Sequence, residues 1–319
     1  MKTIYLVLPC YNEELVISDS ATKLKQFMNN LIDKTKVSDH SKIIFVDDGS
    51  TDATWELLEN ICKTDNLFGA LRLAHNSGHQ NALLAGMMSV KDSCDAVITL
   101  DADLQHDINA IPSFIKLFEE GYDIVNGVRK SRSGESFFKK FSGDMFYSLM
   151  NLFGAKVIKN HADYRLLSSR VLNALSKYEE VNLFLRGIIP QMGFKSTTLE
   201  YEEKPRLAGE SKYSLSKMLK LAADGITSFS IRPLQLITVS GILFFVFSIV
   251  MFIYAIVAYA QSGTVPGWTS IVAPLWLIGG IQLLALGIVG EYIGKIYLET
   301  KHRPRYEIAE MLMNETSIR

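Results

Sequence analysis

The sequence predicts a doubly wound α/β domain followed by a pair of membrane-spanning helices. Three observations carry this expectation. Short β-rich runs alternate with helical stretches over the first 130 residues. Polar clusters follow three of those runs, at the strand ends where open α/β sheets bind ligands. Residues 233 to 290, 58 in all, contain no Asp, Glu, Lys or Arg.

The five expected strands are residues 4–8, 43–46, 68–74, 96–100 and 122–127. Several are apolar without alternation, as in parallel strands covered on both faces. The expected helices are 15–33, 53–63, 79–90 and 111–120. Residues 130–212 are less regular and rich in basic side chains. Residues 213–229 then place Leu215, Met218, Leu219, Ala222, Ile226 and Phe229 on one helix face, with Lys217, Lys220 and Asp224 on the other. A helix in the membrane interface and a core-packed surface helix both fit that pattern. Residues 234–260 and 271–292 each exceed the roughly 20 apolar residues a span needs. Lys212, Lys217, Lys220 and Arg232 precede the pair, Lys295, Lys301, Arg303 and Arg305 follow it, and the turn at 261–267 is uncharged. The positive-inside rule then puts both termini in the cytoplasm. The expected division is a catalytic domain over 1–212, an amphipathic juxtamembrane helix over 213–232, two spans within 233–297 and a tail over 298–319.

Charge narrows the function classes. Lys plus Arg is 33 and Asp plus Glu is 34, a formal net charge of −1, so the basic footprint of a general nucleic-acid binder is missing. All 67 charged side chains lie in the other 261 residues, which gives that part an ordinary soluble polarity. A purely soluble, a disordered and a collagen-like chain are all excluded. Cys10, Cys62 and Cys94 are odd in number and scattered; they suit a reducing compartment and make no zinc spacing. The apolar run after Lys2 stops at Pro9, short of the roughly 7–15 apolar residues of a signal peptide. The soluble part is therefore expected in the cytoplasm.

The pair Asp101-x-Asp103 has the spacing to share a divalent cation, which would neutralise a departing diphosphate. Such a pair is also common in solvated loops, and its place after an apolar strand is what favours the cation. In Asp47-Asp48-Gly49-Ser50-Thr51-Asp52, Gly49 suits a turn and Ser50 or Thr51 a helix cap. A carboxylate there equally suits a nucleobase N–H or a ribose hydroxyl, and both readings can hold. In Pro9-Cys10-Tyr11-Asn12-Glu13, Glu13 suits a cap and Tyr11 suits stacking on a base. His75 and His79 stand four apart, but no third ligand follows, so they are expected to straddle a strand end rather than bind zinc. Lys130, Arg132, Lys139 and Lys140 read as a solvated face or a contact with anionic head groups.

These three clusters, in this order and spacing, resemble the family 2 glycosyltransferases with the GT-A fold. Further motifs are similar to the polyprenyl-phosphate sugar transferases: Asn76-Ser77-Gly78-His79-Gln80-Asn81-Ala82, Asp103-Leu104-Gln105-His106, Asp163-Tyr164-Arg165-Leu166-Leu167-Ser168 and Arg206-x-x-Gly209-x-Ser211-Lys212-Tyr213. The two spans and Arg303-Pro304-x-Tyr306 resemble the bactoprenol glucosyltransferase (GtrB) branch, related to dolichyl-phosphate mannose synthases. Tyr164 stands where that motif often has Phe. The resemblance implies nucleotide-sugar binding by Pro9, Tyr11, Glu13, Asp48, Asp101 and Gln105. It implies Mg²⁺ or Mn²⁺ on Asp101 and Asp103, and catalysis by Asp163, Asp103 and Arg165, with Asp163 as a proposed base. It implies phosphate and lipid-phosphate binding by Arg129, Arg206, Ser211 and Lys212. The implied reaction is inverting transfer of one sugar, glucose from UDP-glucose as first expectation, to undecaprenyl phosphate on the cytoplasmic face of a bacterial plasma membrane. The implied partners are a nucleotide sugar, undecaprenyl phosphate, the bilayer and copies of the chain in a homo-oligomer, a tetramer by resemblance.

The chemistry qualifies one of these roles. A phosphate monoester has a second pKa of about 6 and is mostly dianionic near pH 7. A general base is then worth less than it is for a sugar hydroxyl. Asp163 is accordingly expected to orient Arg165 or the acceptor at least as much as it takes a proton. Arg129, Arg165, Arg206 and Lys212 are expected to hold the two anions, although Arg129 also suits a plain surface position. Two other functions compete. A processive polysaccharide synthase usually carries Gln-x-x-Arg-Trp, and none of the seven glutamines here begins one. A non-catalytic scaffold or flippase subunit would not need the intact Asp101-x-Asp103 and 206–212 motifs.

Overall fold

The computed structural model describes residues 1–130, 161–180, 184–202, 232–260 and 268–313. The chain divides into two units, residues 1–147, 156–213 and 303–319 in one and residues 148–155 and 214–302 in the other. Arg206, Ser211, Lys212 and the expected amphipathic helix lie outside the described residues.

The first unit is built on an eight-stranded sheet. Its strands are β1 (Ile4–Cys10), β2 (Lys42–Asp47), β3 (Phe68–Leu73), β4 (Ala96–Thr99), β5 (Ile124–Arg129), β6 (His161–Ser168), β7 (Ser196–Tyr201) and β8 (Ile308–Leu312), in the spatial order β7-β5-β6-β4-β1-β2-β3-β8. The block β4-β1-β2-β3 is parallel. Helices α1 (Ile17–Asp33), α2 (Thr54–Thr64), α3 (His79–Val90) and α4 (Ile111–Glu119) connect these strands and β5. Every residue of β1 is buried, as its unbroken apolar run requires. α1 buries Ile17, Ala21, Leu24, Met28 and Leu31, one face at helical spacing.

The five expected strands share one direction, and strands from residues beyond 130 make the sheet mixed. β6 runs antiparallel between β4 and β5, and β8 runs antiparallel along β3. The reversal of β6 has a consequence for function. It pairs Thr99 at the end of β4 with Arg165 in the middle of β6, so Asp163, two residues earlier, arrives at the carboxyl end of the parallel block. Thr99 Oγ1 donates to the Asp163 carbonyl at 2.5 Å. Between β1 and β4 the strand order changes direction, which is the switch point where such sheets bind ligands.

β8 comes from residues expected to be a tail. It pairs with residues 70–73, and Ala74 N donates to the Glu307 carbonyl at 2.9 Å. Arg72 stands 3.6 Å from Glu310 and lies over the Trp55 ring at 5.5 Å. The tail therefore covers what would otherwise be an open sheet edge.

The second unit contains α7 (Arg232–Ala260) and α8 (Trp268–Thr300); α5 (Ser169–Leu175) and α6 (Leu185–Gln191) belong to the first. Large apolar side chains on the long helices face outward, Leu243 at 66% and Leu283 at 72% exposure. Among the described residues one stretch, Ile281–Thr300, is long and apolar enough by length and composition to cross a membrane.

Candidate active site

Three loops meet at the switch point, and backbone donors lace them together. Asn12 takes a left-handed backbone (φ 54°) that turns the chain out of β1. Its N–H donates to Ser50 Oγ at 2.9 Å, and its side chain accepts from Thr51 N at 2.9 Å. Glu14 accepts from Ala53 N at 3.0 Å, and Asp52 accepts from Thr54 N at 3.1 Å. The caps therefore differ from expectation. Ser50 and Thr51 tie the first loop to the second, while Asp52 and Glu14 serve the start of α2. Neither α1 nor α2 has a side-chain hydrogen bond from its own N-cap residue, and Glu13 supplies its carbonyl to Val16 and Ile17.

Gly49 is needed twice over. Its φ is +69°, and a Cβ there would stand 2.7 Å from the His75 carbonyl carbon. That close approach lets the β2 loop reach the 75–78 loop, where Asp48 accepts from Ser77 N at 2.7 Å and Gly78 N at 3.0 Å. Asp48 is buried, and burial, against those two hydrogen bonds, raises its pKa. Asp47 is fully buried; one oxygen accepts from Ser50 N and the other lies 3.7 Å from Arg72. Pro9 is buried at the end of β1, Tyr11 is exposed and Glu13 is half-buried. Arg129, the last residue of β5, is exposed.

Beyond β4, Asp103 accepts from Gln105 N at 3.1 Å and Gln105 Nε2 at 2.7 Å. Asp101 faces two imidazoles, His106 Nε2 at 3.0 Å and His79 Nε2 at 3.7 Å. His106 is buried, stacks on Tyr164 at 5.0 Å and meets the Tyr201 hydroxyl through Nδ1 at 2.9 Å. Burial works against the charge on Asp101, but the His106 hydrogen bond and charge outweigh it and hold its pKa below the usual carboxylate range.

Asp163 sits among cations. Arg165 Nη2 donates to its Oδ1 at 2.5 Å, Arg186 Nε to the same oxygen at 3.1 Å, and Arg186 Nη2 to Oδ2 at 2.7 Å. His79 Nε2 lies 3.5 Å from Oδ2. Against the cost of burial, His79 and the two guanidinium groups hold the Asp163 carboxyl well below the ordinary range. Burial lowers Arg165 to about 10, which leaves it charged at neutral pH. His79 is raised, because its partners Asp163 and Asp101 outweigh its burial. A hydrogen bond from Leu185 N to Gln80 Oε1 at 2.9 Å fastens the start of α6 to the start of α3.

The structure thus gathers Asp48, Asp101, Asp103, Gln105, Asp163 and Arg165 at one end of the sheet. Two residues of this cluster carry no role in the sequence-based expectations: His79, which stands there only within the 76–82 motif and as half of a weak zinc pair, and Arg186, a lone charge inside the apolar run 184–189.

A cation between Asp101 and Asp103 fits this donor set in one form. Among the described residues no group of three His, Cys, Asp or Glu side chains could hold a metal ion. Two partly open carboxylates suit a cation whose remaining ligands are substrate phosphates and water.

A mixed α/β nucleotide-binding fold of GT-A type, with aspartates at its switch point, is the frame of a glycosyltransferase domain. Residues 5–175 match Glycosyl transferase family 2, and residues 232–296 match the GtrB C-terminal hairpin. The chain belongs to glycosyl transferase family 2, and it is a glycosyltransferase. Over 310 residues it is 46% identical to the uncharacterized glycosyltransferase YkoT of Bacillus subtilis, covering 97% of this chain and 92% of that one. It is 37% identical to the bactoprenol glucosyl transferase of Shigella phage SfV, covering 96% and 97% of the two chains. Among solved structures it is similar to glucosyl-3-phosphoglycerate synthase from Mycobacterium tuberculosis in complex with Mn²⁺, UDP and phosphoglyceric acid. That match has a TM-score of 0.46 and 18% identity, over 71% of this chain and 76% of the other; at this distance its ligands are that protein's own.

Proposed function

We propose that this glycosyltransferase moves one glucose from UDP-glucose, with inversion, to undecaprenyl phosphate at the cytoplasmic face of a bacterial plasma membrane. One observation carries the choice of acceptor. Both oxygens of Asp163 are engaged by guanidinium groups, so the carboxylate at this end of the cleft is a poor proton acceptor. A sugar hydroxyl must lose a proton as it attacks, and a base would be worth about 10²–10⁴-fold to it. A phosphate dianion needs none, and a cluster with more cations than anions suits it. This disfavours a processive synthase, whose acceptor is a hydroxyl. The hairpin match and the relatives named bactoprenol glucosyl transferase support the same acceptor.

In this reading Pro9, Tyr11, Glu13, Asp48 and Gln105 line the nucleotide sugar. Asp101 and Asp103 hold Mg²⁺ or Mn²⁺, which offsets charge on the departing diphosphate. A phosphate oxygen of the acceptor attacks C1 of glucose from the face opposite UDP. The C1–oxygen bond to UDP breaks, its electron pair leaves with UDP, and no proton moves. Arg165 and Asp163 form the rigid floor; Arg129, Arg206, Ser211 and Lys212 complete the phosphate contacts. Residues 1–212 together with β8 form the catalytic domain, 213–232 the juxtamembrane helix and 233–297 two spans, with 298–307 linking the spans to β8 on the cytoplasmic side. Several copies assemble in the bilayer.

Purified protein in detergent, given radiolabelled UDP-glucose and undecaprenyl phosphate, is the test. A single labelled sugar on lipid monophosphate is expected. Long polymer, or no transfer to lipid from any of a panel of UDP- and GDP-sugars, would refute the reading.

A further inference from the structure

We propose that Arg186 binds the acceptor phosphate, and that Asp163 is the positioning residue that holds it. The inference rests on the reading of the acceptor as a phosphate monoester. It assigns the contact to a residue that no motif brought forward.

Asp163, Arg165 and Arg186 together carry one net positive charge. Arg165 cannot present that charge, because its side chain is only 2% exposed and its Nη1 points to the Leu185 carbonyl at 3.5 Å. Asp163 is 5% exposed, whereas the Arg186 side chain is 36% exposed. Of the three side chains, Arg186 is therefore the one that a ligand can reach.

Geometry then fixes the direction. Arg186 grips Asp163 through Nε and Nη2, a two-point contact along one side of the planar guanidinium. That contact orients the group, so little side-chain entropy is left to lose when an anion binds. Position agrees with chemistry. His79 Nε2 lies 3.5 Å from Asp163 and 3.7 Å from Asp101, so the two carboxylates share one imidazole nitrogen and the Arg186 cluster adjoins Asp101. An anion on Arg186 would sit beside the donor end of the site, as an attacking phosphate must. The 185–186 segment is also fixed independently by Gln80 and by Arg165, which makes Arg186 part of a rigid wall.

The test compares wild type with Arg186→Ala, Arg186→Lys and Asp163→Asn in full-length protein. Three quantities are measured: KM for undecaprenyl phosphate, KM for UDP-glucose, and binding of a short-chain prenyl phosphate by calorimetry without metal or donor. Losing one charge-assisted phosphate contact predicts that Arg186→Ala raises acceptor KM by about 10- to 150-fold. Prenyl phosphate binding should weaken in parallel, and donor KM should stay within about threefold. Arg186→Lys should recover part of the loss. Unchanged acceptor KM and unchanged prenyl phosphate binding in Arg186→Ala would overturn the proposal. So would equal losses for donor and acceptor, the sign of a structural role. If Arg186→Ala no longer binds UDP, the acceptor-to-donor ratio in Arg186→Lys decides by the same criterion. The wild-type arm separates the two levels: wild type inactive on every lipid phosphate sinks the functional reading, while active wild type with indifferent Arg186 variants sinks only this inference.

Discussion

Asp101 and Asp163 approach the same nitrogen of His79, yet the pair Asp101 and Asp103 and the lone Asp163 are the same residue type put to opposite uses. The pair beyond β4 is partly open and is held by neutral or titratable partners, Gln105, His106 and His79. Asp163 is closed in by two permanent cations. A partly open carboxylate suits a cation, and through it a diphosphate, whereas one already saturated by arginine is a structural anion. The partners therefore say more about role than the aspartate does.

The largest effect should come from the open side. Asp103→Ala is expected to cut turnover by orders of magnitude, because it removes an anionic ligand beside the leaving diphosphate, while the variant still folds. EDTA should do the same to wild type. Full activity in EDTA would erase the distinction drawn between the two sets of carboxylates.

The closed side should respond in stability first. Arg165→Met leaves Asp163 with one guanidinium fewer in a buried site, and breaking such a pair costs about 3–5 kcal/mol. Denaturant titration would show it; a loss below about 1 kcal/mol would mean the pair is not structural. The same pairing fixes an acid limit. The folded-state pKa of Asp163 lies below its unfolded value of about 3.9, so its contribution is complete above that pH. It is lost as pH falls through the folded value. Asp163→Asn should therefore flatten part of the melting-temperature decline below about pH 4. An unchanged decline would assign the acid sensitivity elsewhere.

A smaller effect is expected at the far edge of the sheet. Ending the chain after His302 removes β8 and uncovers β3. Its ladder hydrogen bonds contribute about 0.5–1.5 kcal/mol each, less the ordering of the strand, so a net loss of about 1–3 kcal/mol is expected, with a tendency to self-associate through the bared edge. Unaltered stability of the truncated protein would make β8 an ornament of the sheet.

The same contrast explains what could be read from the sequence. The parallel block was legible because its strands are unbroken apolar runs and its loops carry short-range motifs such as 47–52 and 101–103. The cluster around Asp163 was legible only at Asp163 and Arg165. Arg186 lies 23 positions further on and His79 well before, and only the antiparallel insertion of β6 brings them together. β8 was missed because its five residues are mostly exposed, and an edge strand with little to bury leaves a weak hydrophobic pattern. The cap assignments failed for a related reason: Ser50 and Thr51 had a partner in Asn12, 38 and 39 positions away, which outcompeted the local helix end.

In this mechanism the acceptor needs no base from Asp163. A pH series on Asp163→Asn, purified with lipid acceptor and checked for binding of both substrates, is the most direct test. Asparagine can still accept from Arg165 and Arg186, so the variant is predicted to keep measurable turnover with a raised acceptor KM. Its rate should follow the second ionisation of the acceptor near pH 6. A variant that binds both substrates yet is inactive at pH 8.5, where the phosphate is fully ionised, would contradict the claim and restore Asp163 as an essential catalytic residue.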